Sequence, residues 1–218
     1  GAFTQGLVWD RGALVEGTGL YGRSSLAELD LASGAVARER ALPDDRFGEG
    51  VAVLGGRVYQ LTWKAGEAFV YDRATLAPRG RRSYAGEGWG LASDGARLLM
   101  SDGSAVLRWR DPQDFRVLGA VTVRSGGRGV PRLNELEWVG GAVYANVWMT
   151  DCVVRIDPAR GAVTGALDLS PLRARLPPLG RDAVANGIAH RDDRGTLLVT
   201  GKRWPRLFEL DLGAGAPD

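Results

Sequence analysis

The chain of 218 residues has one cysteine, Cys152, and one histidine, His190. A lone cysteine excludes an intramolecular disulfide, and cysteine usage does not identify the redox compartment. A lone histidine argues against a multi-histidine metal site and against a Ser-His-Asp triad away from His190. No hydrophobic run approaches the roughly 18 apolar residues of a membrane span. Neither charge sign dominates: 28 basic side chains face 26 acidic ones, for a net charge of +2, and the signs are interspersed. The densest basic run, Arg79-Gly80-Arg81-Arg82, reads as a solvated loop. No charge argument for nucleic acid follows. The chain opens on repeat residues with no signal peptide in view.

Glycine is plentiful, 32 residues of 218, against a usual share of roughly 7 per cent. It follows no G-x-y period, so tight turns between short strands account for it. Five segments align as the opening strands of a repeat: Gln5-Gly6-Leu7, Glu49-Gly50-Val51, Trp89-Gly90-Leu91, Asn134-Glu135-Leu136 and Asn186-Gly187-Ile188. Their starts are 44, 40, 45 and 52 residues apart. Repeats of this length built from short strands predict propeller blades, here an all-β, five-bladed β-propeller in a single domain over residues 1–218.

A second strand follows in each unit, at residues 14–19, 58–63, 98–103, 143–148 and 197–202. Its last position reads Gly19, Trp63, Gly103, Trp148 and Lys202. Both columns carry varied side chains, which suggests one mouth of the ring specialised blade by blade. Third strands are expected at 25–31, 68–72, 104–110, 151–157 and 206–212. The longest interruption, residues 169–185, contains Pro171, Pro177 and Pro178. It predicts either a short helix before Pro177 or an irregular cap. Unit five runs out of chain, and residues 213–218 are poor material for a fourth strand. An exposed edge invites mispairing, so the expectation is a closing strand supplied by residues before Gly1.

Glu49 is the carboxylate best suited to chemistry. If Phe47, Trp63, Trp89 and Trp148 line one pocket, Glu49 is partly desolvated. Its pKa then rises above the reference of roughly 4.3, which suits proton transfer. Of seven tryptophans, Trp63, Trp89, Trp138 and Trp148 lie in or beside the two inner strands of their units. They would make an apolar wall with indole donors. Trp9 and Trp109 read as packing between blades. Lys202, as counterpart of Trp63 and Trp148, points to the same mouth. In Leu133-Asn134-Glu135-Leu136-Glu137, alternation sends Asn134 and Leu136 one way and the two glutamates the other. Asp151 is left between capping a loop and binding a substrate amine. Cys152 reads as a buried thiol. Gly86-Glu87-Gly88-Trp89-Gly90 lacks the helix, lysine and serine of a phosphate loop.

The chain resembles, end to end, the plant and bacterial glutamine cyclotransferases. The marks are Phe3-Thr4-Gln5-Gly6-Leu7, Gly17-Thr18-Gly19-Leu20-Tyr21-Gly22-Arg23-Ser24-Ser25, Phe47-Gly48-Glu49-Gly50, Leu61-Thr62-Trp63, Gly88-Trp89-Gly90-Leu91, Leu133-Asn134-Glu135-Leu136-Glu137, Asn146-Val147-Trp148, Thr150-Asp151-Cys152, Asn186-Gly187-Ile188-Ala189 and Thr200-Gly201-Lys202. Each is weak alone; together, in order and in blade register, they are specific. The resemblance implies an acyltransferase that cyclises N-terminal glutamine to pyroglutamate and releases ammonia, without metal or cofactor. It implies a catalytic set of Glu49, Asn134 and Lys202, with Glu49 as proton shuttle. It implies a substrate-binding set of Phe3, Gln5, Phe47, Trp63, Trp89 and Trp148. Asn134, Gln5, Lys202 or an indole N–H would stabilise the oxyanion. The implied setting is a secreted or periplasmic bacterial monomer acting on peptides or proteins that begin with glutamine. The departures are the missing strand before Gly1 and the absence of a cysteine pair.

Two other classes fit a propeller. A binding or scaffold module predicts a solvated Glu49. A metal-dependent lactonase or lyase needs a central ring of ligands, and the first column offers one carboxylate and two asparagines.

Overall fold

The structure, a computed structural model, describes residues 1–213. It is built almost wholly from strands. Blade 1 is β1 (Thr4–Asp10), β2 (Ala13–Thr18), β3 (Ser25–Leu29) and β4 (Val36–Ala41). Blade 2 is β5 (Gly48–Leu54), β6 (Arg57–Thr62), β7 (Glu67–Asp72) and β8 (Pro78–Ser83). Blade 3 is β9 (Leu91–Ser93), β10 (Leu98–Met100), β11 (Val106–Arg110) and β12 (Val117–Thr122). A short hairpin follows, β13 (Arg124–Ser125) and β14 (Arg128–Gly129). Blade 4 is β15 (Leu133–Val139), β16 (Ala142–Val147), β17 (Cys152–Asp157) and β18 (Ala162–Asp168). The hairpin adds to its outer edge through a parallel Arg124–Ala162 pairing. One helical turn, α1 (Ser170–Arg173), lies before Pro177, and blade 5 is β19 (Ala185–Arg191), β20 (Thr196–Gly201) and β21 (Phe208–Asp211).

Each blade is an antiparallel meander with its first strand innermost. The two innermost strands of each blade are buried along most of their length, while β4, β8 and β12 are largely exposed. Arg79, Arg81 and Arg82 therefore sit on strand β8, not in the loop the sequence suggested. Five buried clusters hold the ring together, one between each pair of neighbouring blades. The one between blades 1 and 2 joins Val15 and Leu26 to Val51 and Val58. The one across the chain ends joins Leu7 and Leu14 to Ala189 and Leu198. Five such interfaces, each between neighbours, make a closed five-bladed ring. Each fully buried aliphatic side chain contributes roughly 1.5–3 kcal/mol, so the interfaces dominate cohesion. Trp138 belongs to one of them. It stacks edge-to-face on Trp109 at 5.8 Å between blades 3 and 4, and is not part of an axial aromatic cluster.

The third strand of every blade ends on, or one residue before, an aspartate that caps the following turn. Asp30, Asp72, Asp111, Asp157 and Asp211 accept from backbone N–H groups two or three residues on, at 2.8–3.1 Å. The short aspartate side chain mimics a backbone turn. This column is plain in the sequence once the third strands are aligned, yet the reading of the first two columns missed it.

Around the axis the inner strands approach within backbone contact. A Cβ on Gly50 would lie 2.6 Å from the Leu91 nitrogen, and one on Gly6 would clash with the Val51 nitrogen. Glycine at the second position of the repeat makes that approach possible in blades 1, 2 and 3, and in blade 5 Gly187 meets the need for a positive φ. Blade 4 alone has a side chain there, Glu135. It reaches across to accept from the Leu7 N–H at 3.2 Å and the Ile188 N–H at 2.9 Å, on blades 1 and 5. Glu137 accepts from the His190 N–H at 2.7 Å, and Asn146 from the Gly187 N–H at 3.0 Å. A register shift between Leu133 and Leu136 breaks the expected alternation. Leu136 is in the core, while Asn134 turns to the mouth.

Burial pushes the Glu137 carboxyl up to about 8 from its ordinary 4.5. The folded protein then holds more protons than the unfolded chain between those values, so stability is full below about 4.5 and falls as pH rises toward 8. Glu135 acts in the same sense, and His190, lowered by burial, acts in the opposite one. Glu137→Gln keeps an acceptor for His190 but cannot ionise. Thermal unfolding between pH 5 and 8 should show a flatter decline in the variant than in the wild type, and an unchanged slope would remove Glu137 from the account.

Candidate active site

Both sequence columns reach one mouth because of a repeated backbone bond. The residue just past the second strand donates its N–H to the carbonyl two residues before the first column. Gly19 bonds Phe3, Trp63 bonds Phe47, Trp148 bonds Arg132 and Lys202 bonds Val184, at 2.8–3.0 Å. Trp63, Trp148 and Lys202 thus sit in turns one residue beyond β6, β16 and β20. The glycines of that column give room to aromatic rings. A Cβ on Gly19 would strike Phe47, and one on Gly103 would lie 2.7 Å from the Trp89 ring.

A cavity of about 530 Å³ opens at this mouth, lined by Phe3, Gln5, Phe47, Glu49, Trp63, Trp89, Asn134, Trp148 and Lys202, with Met149, Arg181 and Asp182 on its rim. All nine residues singled out from sequence are therefore brought together. Asn186, fifth in the first column, lies beneath the cavity floor and is fully buried. Its Nδ2 donates to the Thr4 carbonyl at 3.0 Å and to Gln5 Oε1 at 3.4 Å. Gln5 Nε2 in turn donates to Glu49 Oε1 at 2.9 Å. Asp151 is not on the lining; its carbonyl accepts from the Leu169 N–H, which ties it to the loop before α1.

The wall is a chain of edge-to-face rings. Phe3 meets Phe47 at 6.1 Å, Phe47 meets Trp63 at 5.6 Å, and Trp89 meets Trp148 at 5.5 Å. Such pairs contribute roughly 0.5–1.5 kcal/mol each beyond area burial. Glu87 joins the two halves: its Oε2 accepts from Trp63 Nε1 at 2.8 Å and from Trp89 Nε1 at 2.9 Å. These two indoles are thus not free to donate to an oxyanion, as the sequence reading allowed. Among the described residues, Trp148 is the lining tryptophan whose indole N–H has no such bond.

Glu49 is 4 % exposed. Burial drives its carboxyl well above the ordinary 4.5; Lys202 partly offsets this and Glu87 adds to it. The Lys202 ammonium, also buried, is lowered by desolvation and held up partly by Glu49. It stands 5.0 Å over the Phe3 ring. The side-chain oxygen of Asn134 is buried without a partner. The floor thus presents one carboxylate, one amine and one amide with unspent capacity inside an apolar wall. That set can accept a proton, donate to a developing oxyanion and orient a small polar group. Among the described residues no three His, Cys, Asp or Glu side chains converge as metal ligands. Cys152 is half-buried with its thiol pushed up.

Sequence reasoning missed Met149, Arg181 and Asp182 as parts of this site and left the place of Glu87 relative to the axis open. Glu87 had a signal. It lies two residues before Trp89, as Phe3 lies before Gln5 and Phe47 before Glu49. Arg181 and Asp182 belong to the irregular stretch after α1, where no period exists to place them; Asp182 pairs with Arg203 at 2.9 Å.

The chain is 42% identical over 215 residues to a glutaminyl-peptide cyclotransferase of Arabidopsis thaliana, covering 97% of this chain and 67% of that protein. Its fold matches the crystal structure of Myxococcus xanthus glutaminyl cyclase with a TM-score of 0.91 and 40% identity, over 96% of this chain and 90% of the other. The WD40 propeller domain of Doa1 matches at a TM-score of 0.57 and 9% identity, over 95% and 63% of the two chains, a likeness of fold alone. The glutamine cyclotransferase family model matches residues 1–212. With that match and these identities, the chain belongs to the glutamine cyclotransferase family.

Proposed function

We propose that this protein is a glutaminyl-peptide cyclotransferase that converts N-terminal glutamine of peptides or proteins to pyroglutamate with release of ammonia. The observation that carries the reading is the desolvated Glu49, held by Gln5 at 2.9 Å on the floor of an aromatic pocket. The substrate's α-amine titrates at roughly 7.7–8.0, and a carboxylate raised well above 4.5 is closer to it in proton affinity, as efficient transfer requires. The amine nitrogen attacks the γ-amide carbon of the same residue, so fixing one folded conformer supplies much of the rate. Glu49 takes the proton lost by the amine and delivers it to the amide nitrogen. The C–N bond then breaks, ammonia leaves and the lactam remains. Asn134 and Lys202 stabilise the oxyanion, and Phe3, Phe47, Trp63, Trp89 and Trp148 shape the pocket around one side chain.

A scaffold reading would leave Glu49 in solvent, and its burial speaks against that. The reaction is taken as metal-independent because, among the described residues, no three His, Cys, Asp or Glu side chains converge as metal ligands. The protein is also taken to be an exported monomer. No helix among the described residues is long and apolar enough to cross a membrane.

A Gln-initiated dipeptide should yield ammonia and a pyroglutamyl product. Glu49→Gln, checked for folding by circular dichroism, should lower kcat by roughly 10²–10⁴-fold, with kcat/KM falling alongside because the lost interaction belongs to the transition state. A folded variant keeping more than about a tenth of wild-type kcat lies outside that range and would exclude Glu49 as the shuttle. The base must be ionised, so wild-type kcat/KM should fall as pH drops through a value above the ordinary carboxylate 4.5. Turnover should also survive exhaustive chelation. Activity lost to EDTA and restored by Zn²⁺ or Ca²⁺ would sink the metal-independent mechanism.

A further inference from the structure

The aromatic wall of the pocket is continuous only through one carboxylate. Phe3, Phe47 and Trp63 form one run of edge-to-face rings from blades 1 and 2, and Trp89 and Trp148 form another from blades 3 and 4. None of the ring pairs joins Trp63 to Trp89. The single oxygen Oε2 of Glu87 holds both indole N–H groups, at 2.8 and 2.9 Å. Glu87 itself is only half-buried and lies off the cavity lining. It therefore acts on the pocket through the two tryptophans and through its charge.

We propose that Glu87 is a positioning residue: its carboxylate clamps Trp63 to Trp89, sets the separation of the two halves of the aromatic wall, and so fixes the slot that receives the glutamine side chain. This rests on the cyclotransferase reading for its substrate, but the clamp itself is a property of the ligand-free protein. Charge-assisted hydrogen bonds are the strong ones, and two on one oxygen fix its position between two rings. Each indole also packs edge-to-face on one other ring, Trp63 on Phe47 and Trp89 on Trp148, so releasing its N–H end removes the hydrogen bond that orients it. The backbone agrees: the Gly88 N–H donates to the Trp63 carbonyl at 3.0 Å, which seats the Glu87 segment directly against that turn. Glu49 faces two charges, Lys202 and Glu87, so removing the second also changes the proton affinity of the shuttle. That gives a readout that loss of packing alone would not produce.

The test compares E87Q and E87A, with far-UV circular dichroism as the check on folding. Gln keeps a carbonyl oxygen able to accept from both indoles. E87Q should therefore retain the near-UV spectrum and a KM within about threefold of wild type, a margin of well under 1 kcal/mol. Its acidic limb in kcat/KM should move to lower pH, because a negative neighbour of Glu49 is gone. E87A should alter the near-UV tryptophan signal of the ligand-free protein and raise KM roughly tenfold or more, the order expected for losing hydrogen bonds to a charged group. If E87A fails to fold, E87D replaces it, since its carboxylate is one methylene short of spanning both rings. E87A or E87D with wild-type near-UV spectrum and KM would overturn the proposal. So would E87Q as damaging to KM as E87A, which would assign the effect to charge alone. A wild-type protein that releases no ammonia from Gln-initiated peptides would remove the functional reading, while the near-UV comparison would still decide the clamp.

Discussion

The structure depends on how closely five strands pack around one axis. Backbone meets backbone there, and a Cβ on Gly50 would come within 2.6 Å of a neighbouring strand. That constraint selects glycine at one position in blades 1, 2 and 3, and the side chains just before it face the mouth. The cavity follows from it: Gln5, Glu49, Trp89 and Asn134 are the side chains that precede those contacts. Glu135, the exception, offsets the lost contact by bonding the first strands of blades 1 and 5 from blade 4. It crosses the axis where the two ends of the ring meet. A buried carboxyl in that role is held by N–H donors, and its raised proton affinity is the cost of its position.

The site divides its polar groups into those already committed and those left open. Gln5, Glu87 and the NH₂ of Asn186 are bound to protein partners, while the Asn186 Oδ1 is buried without one. Glu49 keeps one oxygen outside the Gln5 bond, and Asn134 has a buried oxygen with no partner. A buried polar atom without a partner costs roughly 1–3 kcal/mol, so a ligand that supplies one recovers that loss on binding. Specificity for a small amide follows from the same physics. A site built to bond a polar group leaves its own groups unpaired against an apolar analogue.

Much of the fold was legible because each blade repeats the same constraint. Glycine after Gln5, Glu49, Trp89 and Asn186 marks the axis, and the turn residues mark the hairpins. The nine lining residues were legible from two columns together with the family resemblance. What escaped had physical reasons. Trp138 shares strand β15 with Asn134, but four positions on it has left the mouth and packs against Trp109. Asn134 and Leu136 part company because a bulge intervenes, and alternation carries no sign of one. The pairing of Arg124 with Ala162 joins segments that no local pattern relates. Glu87 stands in register with Phe3 and Phe47, yet its place relative to the axis stays open until the indoles it holds are seen.

The amides beneath the cavity have a direction. The Thr4 carbonyl can only accept, so Asn186 must turn its NH₂ toward it, and the same group faces Gln5. Gln5 must then offer its oxygen to Asn186 and its NH₂ to Glu49. Either amide flipped would set donor against donor or acceptor against acceptor. Glu49 Oε1 therefore meets a donor in both of its ionisation states and has no room for a hydrogen of its own. When the carboxyl is protonated, the hydrogen resides on Oε2. A backbone carbonyl at the start of β1 thus makes the two oxygens of Glu49 chemically unequal before any substrate arrives.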